Sequence, residues 1–210
     1  MKLAVFDFDS TLMDGETIDF LAQELGFEEQ VAQITECAMA GELDFFDSLL
    51  ERVALLRGLD VKKVNKICQN LPLITGAKEA VEMLKEGGFR VVCFSGGFRN
   101  ATEPVCRKLG IDADFSNYLH EKEGKLTGLV GGEMMFSDSK GKMLQRLQNL
   151  LGIGQEQTVV VGDGANDISM FRFAKTSIAF CAKPILKEAA SDIVDIKDLR
   201  EVAKIAKRVE

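Results

Sequence analysis

The chain contains a single histidine, no Cys-x-x-Cys pair, no broad basic stripe and no apolar run long enough to span a bilayer. Each absence removes a class of function. His120 falls in a hairpin expected from Ser116 to Leu129, turning near Glu123-Gly124, so it reads as a surface residue and His-based triad chemistry is unpromising. The five cysteines, Cys37, Cys68, Cys93, Cys106 and Cys181, are odd in number and widely spaced. They read as reduced core or near-core residues of a cytosolic protein. The formal charge is −7. The most basic stretch, Lys197 to Arg208, is interleaved with Glu201 and apolar residues, as in a solvated amphipathic helix. Nucleic acid and membrane are therefore not expected partners. The apolar start, Leu3 to Phe6, is too short for a signal-peptide core and meets Asp7 at once, so a cytoplasmic location is expected. No internal repeat or low-complexity segment occurs.

With 210 residues, 46% of them apolar, the chain can bury one sizeable core and a small second unit. Beyond about residue 76, strand and helix patterns alternate. Strands are expected at Lys2–Asp7, Arg90–Phe94, Thr158–Gly162, Ser177–Phe180 and Asp192–Val194. Helices are expected at Ala77–Glu86, Arg99–Leu109, Lys142–Leu151, Asp167–Ala174, Pro184–Ala189 and Leu199–Arg208. This alternation implies an α/β fold, a three-layer arrangement with a mostly parallel sheet between helices. Residues 14–73 break the pattern. Ile18-Leu21-Ala22-Leu25 and Phe45-Leu49-Val53-Leu56 keep helical spacing with no strand between them. They read as a small helical cap inserted after the first strand, with residues 1–13 and 74–210 forming the core domain.

Four polar segments sit where strands end or helices begin. In Phe6-Asp7-Phe8-Asp9-Ser10-Thr11, two carboxylates and a hydroxyl alternate, and in a continuing strand Asp7, Asp9 and Thr11 would share one face. Two carboxylates this close repel and seek a hard cation, most simply Mg²⁺. One can attack as a nucleophile while its neighbour handles protons. In Val91-Val92-Cys93-Phe94-Ser95-Gly96-Gly97-Phe98, a hydroxyl and two glycines precede a helix, a setting in which backbone N–H groups can approach a phosphate. Lys140 opens a helix, where its charge opposes the macrodipole and a phosphate partner would account for it, although Lys142 competes for that role. In Gly162-Asp163-Gly164-Ala165-Asn166-Asp167, two acids and an amide follow a β-branched run. Asn166 or Asp167 can cap the next helix while Asp163 binds metal.

This ordered set resembles the haloacid-dehalogenase-type phosphatase superfamily. Within it, the strings DFDSTLMDGETIDF (Asp7 to Phe20), GDGANDISM (Gly162 to Met170) and AFCAKPILKE (Ala179 to Glu188) are most similar to the phosphoserine phosphatase family. The resemblance implies a Rossmann-like core and hydrolysis of a phosphomonoester, with O-phosphoserine as the small-molecule substrate and serine biosynthesis as its setting. Asp7 would be the nucleophile and Asp9 the acid and base. The Asp7 carboxylate, the Asp9 backbone carbonyl and Asp163 would hold Mg²⁺, with Asp167 supporting it through water. Thr11, Ser95, Gly96 and Lys140 would hold the phosphoryl oxygens, and Asn166 the phosphate or substrate. Glu16 would pair with the substrate ammonium and Arg52 with its carboxylate, beside an apolar lining of Met39 and Phe45. On spacing alone, Glu16 is equally a helix-start acid and Arg52 a solvated helix face. Monomer and homodimer both stay open. So do a phosphatase or phosphotransferase for another small phosphomonoester, a phospho-acceptor signalling module and a non-catalytic binding protein.

Overall fold

The computed structural model describes residues 1–39 and 43–209. Its strands are β1 (Lys2–Asp7), β2 (Phe89–Phe98), β3 (Ala113–Lys122), β4 (Lys125–Gly132), β5 (Thr158–Gly162), β6 (Thr176–Phe180) and β7 (Asp192–Val194). They form one sheet in the order β4-β3-β2-β1-β5-β6-β7. Only β4, the return strand of a hairpin with β3, runs antiparallel. The remaining six strands follow the doubly wound order, with the reversal of direction at β1. Each parallel crossover carries a helix because parallel strands need a long return.

The helices are α1 (Thr17–Leu25), α2 (Glu28–Met39), α3 (Phe45–Ala54), α4 (Val61–Cys68), α5 (Ala77–Glu86), α6 (Arg99–Leu109), α7 (Ser139–Leu151), α8 (Ile168–Phe171), α9 (Pro184–Ala189) and α10 (Leu199–Ala206). The central strand is apolar at nearly every position because both its faces are covered. Ala4 and Phe6 pack with Ala80, Val81, Leu84 and Val202, from α5 and α10. Leu3 and Val5 pack on the opposite face with Met143, Leu144 and Met170, from α7 and α8. Helices α1 to α4 lie between β1 and α5 in sequence. Their entry and exit are tied together: Met13 and Leu73 form an antiparallel bridge. The Asp14 N–H donates to the Pro72 carbonyl at 2.9 Å, and the Ile74 N–H to the Leu12 carbonyl at 3.0 Å. The β3–β4 hairpin reaches the same helices, where the Leu126 N–H donates to the Leu59 carbonyl at 2.9 Å.

Several elements differ from the sequence expectation. β1 covers Lys2–Asp7 as expected and does not continue, so the condition under which Asp7, Asp9 and Thr11 would share a strand face is not met. The chain turns instead, with Ser10 at φ 56° and the Leu12 and Met13 N–H groups both donating to the Phe8 carbonyl at 2.9 Å. β2 runs on through Ser95-Gly96-Gly97-Phe98 rather than ending at Phe94, with a register shift against β3 in that stretch. α7 begins at Ser139, earlier than Lys142, and the expected helix Asp167–Ala174 is only the short α8 after a 3₁₀ turn at Ala165–Asp167. Cys68, Cys93 and Cys106 are buried, but Cys37 is half-buried and Cys181 is exposed at φ 45°. His120 is on the surface, its Nδ1 lying 2.9 Å from Thr127 Oγ1.

Candidate active site

The polar segments converge at the carboxyl end of β1, the point where crossovers diverge to β2 and β5. Asp7, the last residue of β1, is 4% exposed. Lys140 Nζ lies 2.6 Å from Asp7 Oδ1 and 2.6 Å from Asp167 Oδ1. Asp167 Oδ2 in turn accepts the backbone N–H groups of Asp163 and Gly164, each at 3.1 Å. These contacts explain a cation in the first turn of α7. The dipole opposes it by up to about 1 kcal/mol. A carboxylate even 4 Å away attracts it by about 4 kcal/mol at an effective dielectric near 20. Burial works against the ammonium, but Asp167 and Asp7 together outweigh it and hold the Lys140 pKa above the ordinary lysine value.

Asp7, Asp163 and Asp167 bring carboxylate oxygens within 4.8 Å of one another. Burial first, then the charge of Asp167, pushes Asp7 well above the usual carboxylate range, with Lys140 opposing. Asp163 is pushed up to about 6 by burial and by Asp167. Three acids thus face one lysine, and oxygen donors crowded with excess negative charge suit a hard divalent cation. The residues present fit a metal.

The Asp9 carboxylate is engaged elsewhere. Its Oδ1 accepts the Thr17 N–H at 2.7 Å and the Thr17 hydroxyl at 2.6 Å, and Ser95 Oγ donates to its Oδ2 at 3.4 Å. Burial raises its pKa despite the Thr17 hydrogen bonds, which favours a protonated acid. The backbone must stay bare here: a Cβ on Gly97 would lie 2.8 Å from Asp9 Oδ2. Ser95 Oγ accepts the Gly97 N–H at 2.9 Å. Thr11 Oγ1 is the one buried side-chain polar atom without a hydrogen-bond partner among the described residues.

A cavity of about 570 Å³ opens above these groups, with Asp7, Asp9 and Asp163 among its walls. Glu16, Arg52, Asn166 and Gly96 also line it. Phe45 closes one side, its Cζ only 2.8 Å from where a Cβ on Gly96 would stand. Burial and the Asp9 charge push Glu16 up to about 8, and Ser10 Oγ donates to its Oε1 at 2.8 Å. Arg52 donates from Nε to the Ser48 carbonyl at 3.1 Å. Burial lowers its pKa, while Glu16, Asp9 and Asp19 oppose that loss.

Residues 1–175 match the model of the haloacid dehalogenase-like hydrolases. The chain belongs to that family. It is 64% identical to a phosphoserine phosphatase of Wolinella succinogenes over 202 residues, 96% of this chain and 98% of that protein. It is 50% identical to the phosphoserine phosphatase of Methanocaldococcus jannaschii, with 98% of each chain covered. A solved phospho-aspartyl intermediate analogue of phosphoserine phosphatase superposes with a TM-score of 0.92 at 50% identity, covering 97% of this chain and 98% of that one. A substrate-bound phosphoserine phosphatase complex superposes equally well, with a TM-score of 0.92 at 49% identity and 97% of both chains covered.

In this haloacid dehalogenase-like hydrolase, Asp7, Asp9, Glu16, Arg52, Gly96, Asp163 and Asn166 meet around one cavity. Lys140, Ser95 and Thr11 are buried and do not line it. Lys142 is exposed and pairs with Asp138 at 2.6 Å, so of these two lysines Lys140 is the one that touches the acidic cluster. The acidic cluster holds the expected Asp7 and Asp163 carboxylates, with the Asp167 carboxylate beside them. The Met39 side chain lies outside the described residues. Thr17 is the functional side chain that sequence reasoning missed. It sits in the DGET string, but no spacing rule ties a hydroxyl to a carboxylate eight residues earlier. Lys183 was also missed. It lines the cavity, and its N–H donates to the Asp163 carbonyl at 2.9 Å.

Proposed function

We propose that this hydrolase cleaves O-phospho-L-serine to L-serine and phosphate through an aspartyl phosphate on Asp7. The observation that carries this reading is the charge layout of one cavity: Glu16 and Arg52 line the same space as Asp7 and Asp9. A carboxylate suits an ammonium, and a guanidinium suits a carboxylate bidentately. Phosphoserine carries both beside its phosphate. A substrate lacking either charge would leave Glu16 or Arg52 desolvated without compensation.

In the first step, an Asp7 oxygen forms a bond to phosphorus as the seryl oxygen leaves. Asp9, whose pKa burial raises, gives its proton to that oxygen and L-serine is released. In the second step, water attacks the phosphoryl group on Asp7, Asp9 takes back a proton, and phosphate leaves with Asp7 restored. Lys140, Ser95, Thr11 and the backbone at Gly96 stabilise the equatorial oxygens. The unpartnered Thr11 hydroxyl supports this, because a buried donor needs an acceptor. Asp7, Asp163 and Asp167, with the Asp9 carbonyl, would hold Mg²⁺, which supplies charge neutralisation and orientation of the phosphoryl group when bound. Residues 14–73 act as a cap over a core formed by 1–13 and 74–210. The paired stems at Met13 and Leu73 support that division.

The test is phosphate release from a panel of L-phosphoserine, phosphothreonine, phosphohomoserine and p-nitrophenyl phosphate, run with the parent protein and Arg52→Ala. L-phosphoserine should be preferred by the parent. Loss of the bidentate carboxylate contact should cost about 1.5–3 kcal/mol, roughly ten- to hundredfold in kcat/KM, for phosphoserine and far less for p-nitrophenyl phosphate. Equal losses on both substrates would make Arg52 structural and the enzyme a general small-phosphomonoester phosphatase.

A further inference from the structure

The first two residues of α3 touch the core at two different places. Phe45 covers Gly96, as its 2.8 Å approach to a Cβ there requires. Phe46 lies face to face with Phe136, ring centroids 5.0 Å apart and planes 11° from parallel. Phe136 is 56% exposed, although it is a large apolar side chain with a whole core beneath it. Its backbone is fixed. The Phe136 N–H donates to Ser139 Oγ at 3.1 Å, and the Ser139 N–H donates to the Phe136 carbonyl at 3.0 Å. Ser139 opens α7, and Lys140 follows it directly. The turn that receives Phe46 is therefore the turn that starts the lysine helix, while the neighbouring Phe45 rests on the other phosphate-binding segment.

We infer that Phe136 is a positioning residue for this reaction: its stack on Phe46 holds α3, and with it Arg52, closed over the phosphate-binding floor. The inference rests on the phosphoserine reading for its kinetic consequence. An exposed phenylalanine contributes little to core stability, because it leaves most of its surface in water in either case. Its contribution is felt when α3 is seated and lost when α3 lifts, which is the differential interaction that biases a two-state closure. Phe46→Ala and Phe136→Ala both remove the stack, and Phe46→Ala also removes the packing of Phe46 against the core. An offset or stacked aromatic pair at this separation corresponds to a shift of roughly two- to tenfold in the closed-to-open ratio. Arg52 sits on α3 and reaches the substrate only from the closed position, so that shift appears mainly in KM for phosphoserine. p-Nitrophenyl phosphate, which uses the floor alone, does not register it.

Steady-state kinetics on Phe46→Ala, Phe136→Ala, the double variant and Phe136→Tyr, with thermal melts of each, tests the contact. Each single alanine variant should raise KM for phosphoserine roughly two- to tenfold with kcat within about twofold of the parent. The double variant should lose no more than Phe46→Ala alone, because that change already removes the stack Phe136 makes. Phe136→Tyr keeps a stacking ring and should restore KM. Additive losses, an unrestored KM in Phe136→Tyr, or equal losses with p-nitrophenyl phosphate would overturn the inference. The chain contains no tryptophan, so Phe136→Trp supplies a single emitter at the latch. With Mg²⁺ present, beryllofluoride titration should shift its emission, and a Phe46→Ala background should abolish the shift. This arm needs no phosphoserine turnover. An emission change that persists without Phe46, or none with it, overturns the latch even if phosphoserine is the substrate. A failed panel with a working emission change overturns the substrate assignment alone.

Discussion

Lys140→Met removes the one cation among three acids while keeping a long apolar stem in its place. Lys140 bridges Asp7 and Asp167 at 2.6 Å each, and all three side chains are buried. Breaking a buried pair by deleting one partner leaves uncompensated charge and costs about 3–5 kcal/mol. For a chain of this size, that corresponds to a fall of about 6–20 °C in Tm. The penalty should depend on pH with a definite sign. In the parent, the Lys140 pKa lies above the ordinary lysine value, so the lysine is charged throughout pH 5 to 8 and adds no slope there. The slope comes from the acids. Asp7 lies well above the usual carboxylate range and Asp163 is pushed up to about 6, and removing the lysine raises both further. In that window, the folded variant binds more protons than its unfolded chain, so its stability falls as pH rises. The deficit against the parent should be largest at pH 8 and shrink toward pH 5, as Asp7 and Asp163 take up protons. Mg²⁺ should narrow it at pH 8 by supplying the missing positive charge. Turnover should drop by about a hundredfold or more, the loss typical of one charge-stabilising donor. Thermal melts of metal-free protein at pH 5 and 8, with and without Mg²⁺, measure all of this. A deficit under 2 °C at pH 8, or one equal at the two pH values, would refute the ion-pair account.

Two further outcomes follow from the cavity walls. Thr17→Val keeps the shape of the side chain but removes the hydroxyl that donates to Asp9 Oδ1 at 2.6 Å. The lost hydrogen bond costs about 0.5–1.5 kcal/mol, so kcat should fall roughly two- to tenfold while phosphoserine KM stays near the parent value; an unchanged kcat would remove Thr17 from the account. Glu16, held up to about 8 by burial and by Asp9, must ionise to meet an ammonium. The kcat/KM profile for phosphoserine should therefore rise with pH through a limb at or below about 8, lower when a cation offsets the neighbouring acids. Glu16→Gln should flatten that limb, and p-nitrophenyl phosphate should lack it. A limb of equal size in both substrates would assign it to another group.

The strand cores were legible because they are runs of β-branched or apolar residues closed by polar ones, as in Thr158-Val159-Val160-Val161 before Gly162. The mostly parallel sheet between helices followed from the alternation of strand and helix, but its strand order did not. What escaped was set by contacts distant in sequence. α7 starts at Ser139, three residues before the expected Lys142, and its first turn carries Lys140 to Asp7 and Asp167, partners remote in sequence. β2 persists through two glycines because β3 lies alongside and pairs Asn117 with Phe98. The end of β1 at Asp7 was legible, but the turn beyond it, with Ser10 at a positive φ, was not. The site residues were found as four strand-end or helix-start segments. Their partners, Thr17 for Asp9 and Phe136 for Phe46, carry no mark in the sequence because a hydroxyl or an exposed ring has many ordinary uses.

The central claim is that Asp7 carries the phosphoryl group. Enzyme quenched during turnover of L-phosphoserine with Mg²⁺ and reduced with borohydride converts any aspartyl phosphate to homoserine, which peptide mass spectrometry locates. The account predicts homoserine at position 7, with Asp9, Asp163 and Asp167 unaltered, and none in Asp7→Asn protein, which should fold and fail to turn over. Reduction at another acid, or phosphoserine turnover by folded Asp7→Asn at a rate near the parent's, would contradict it.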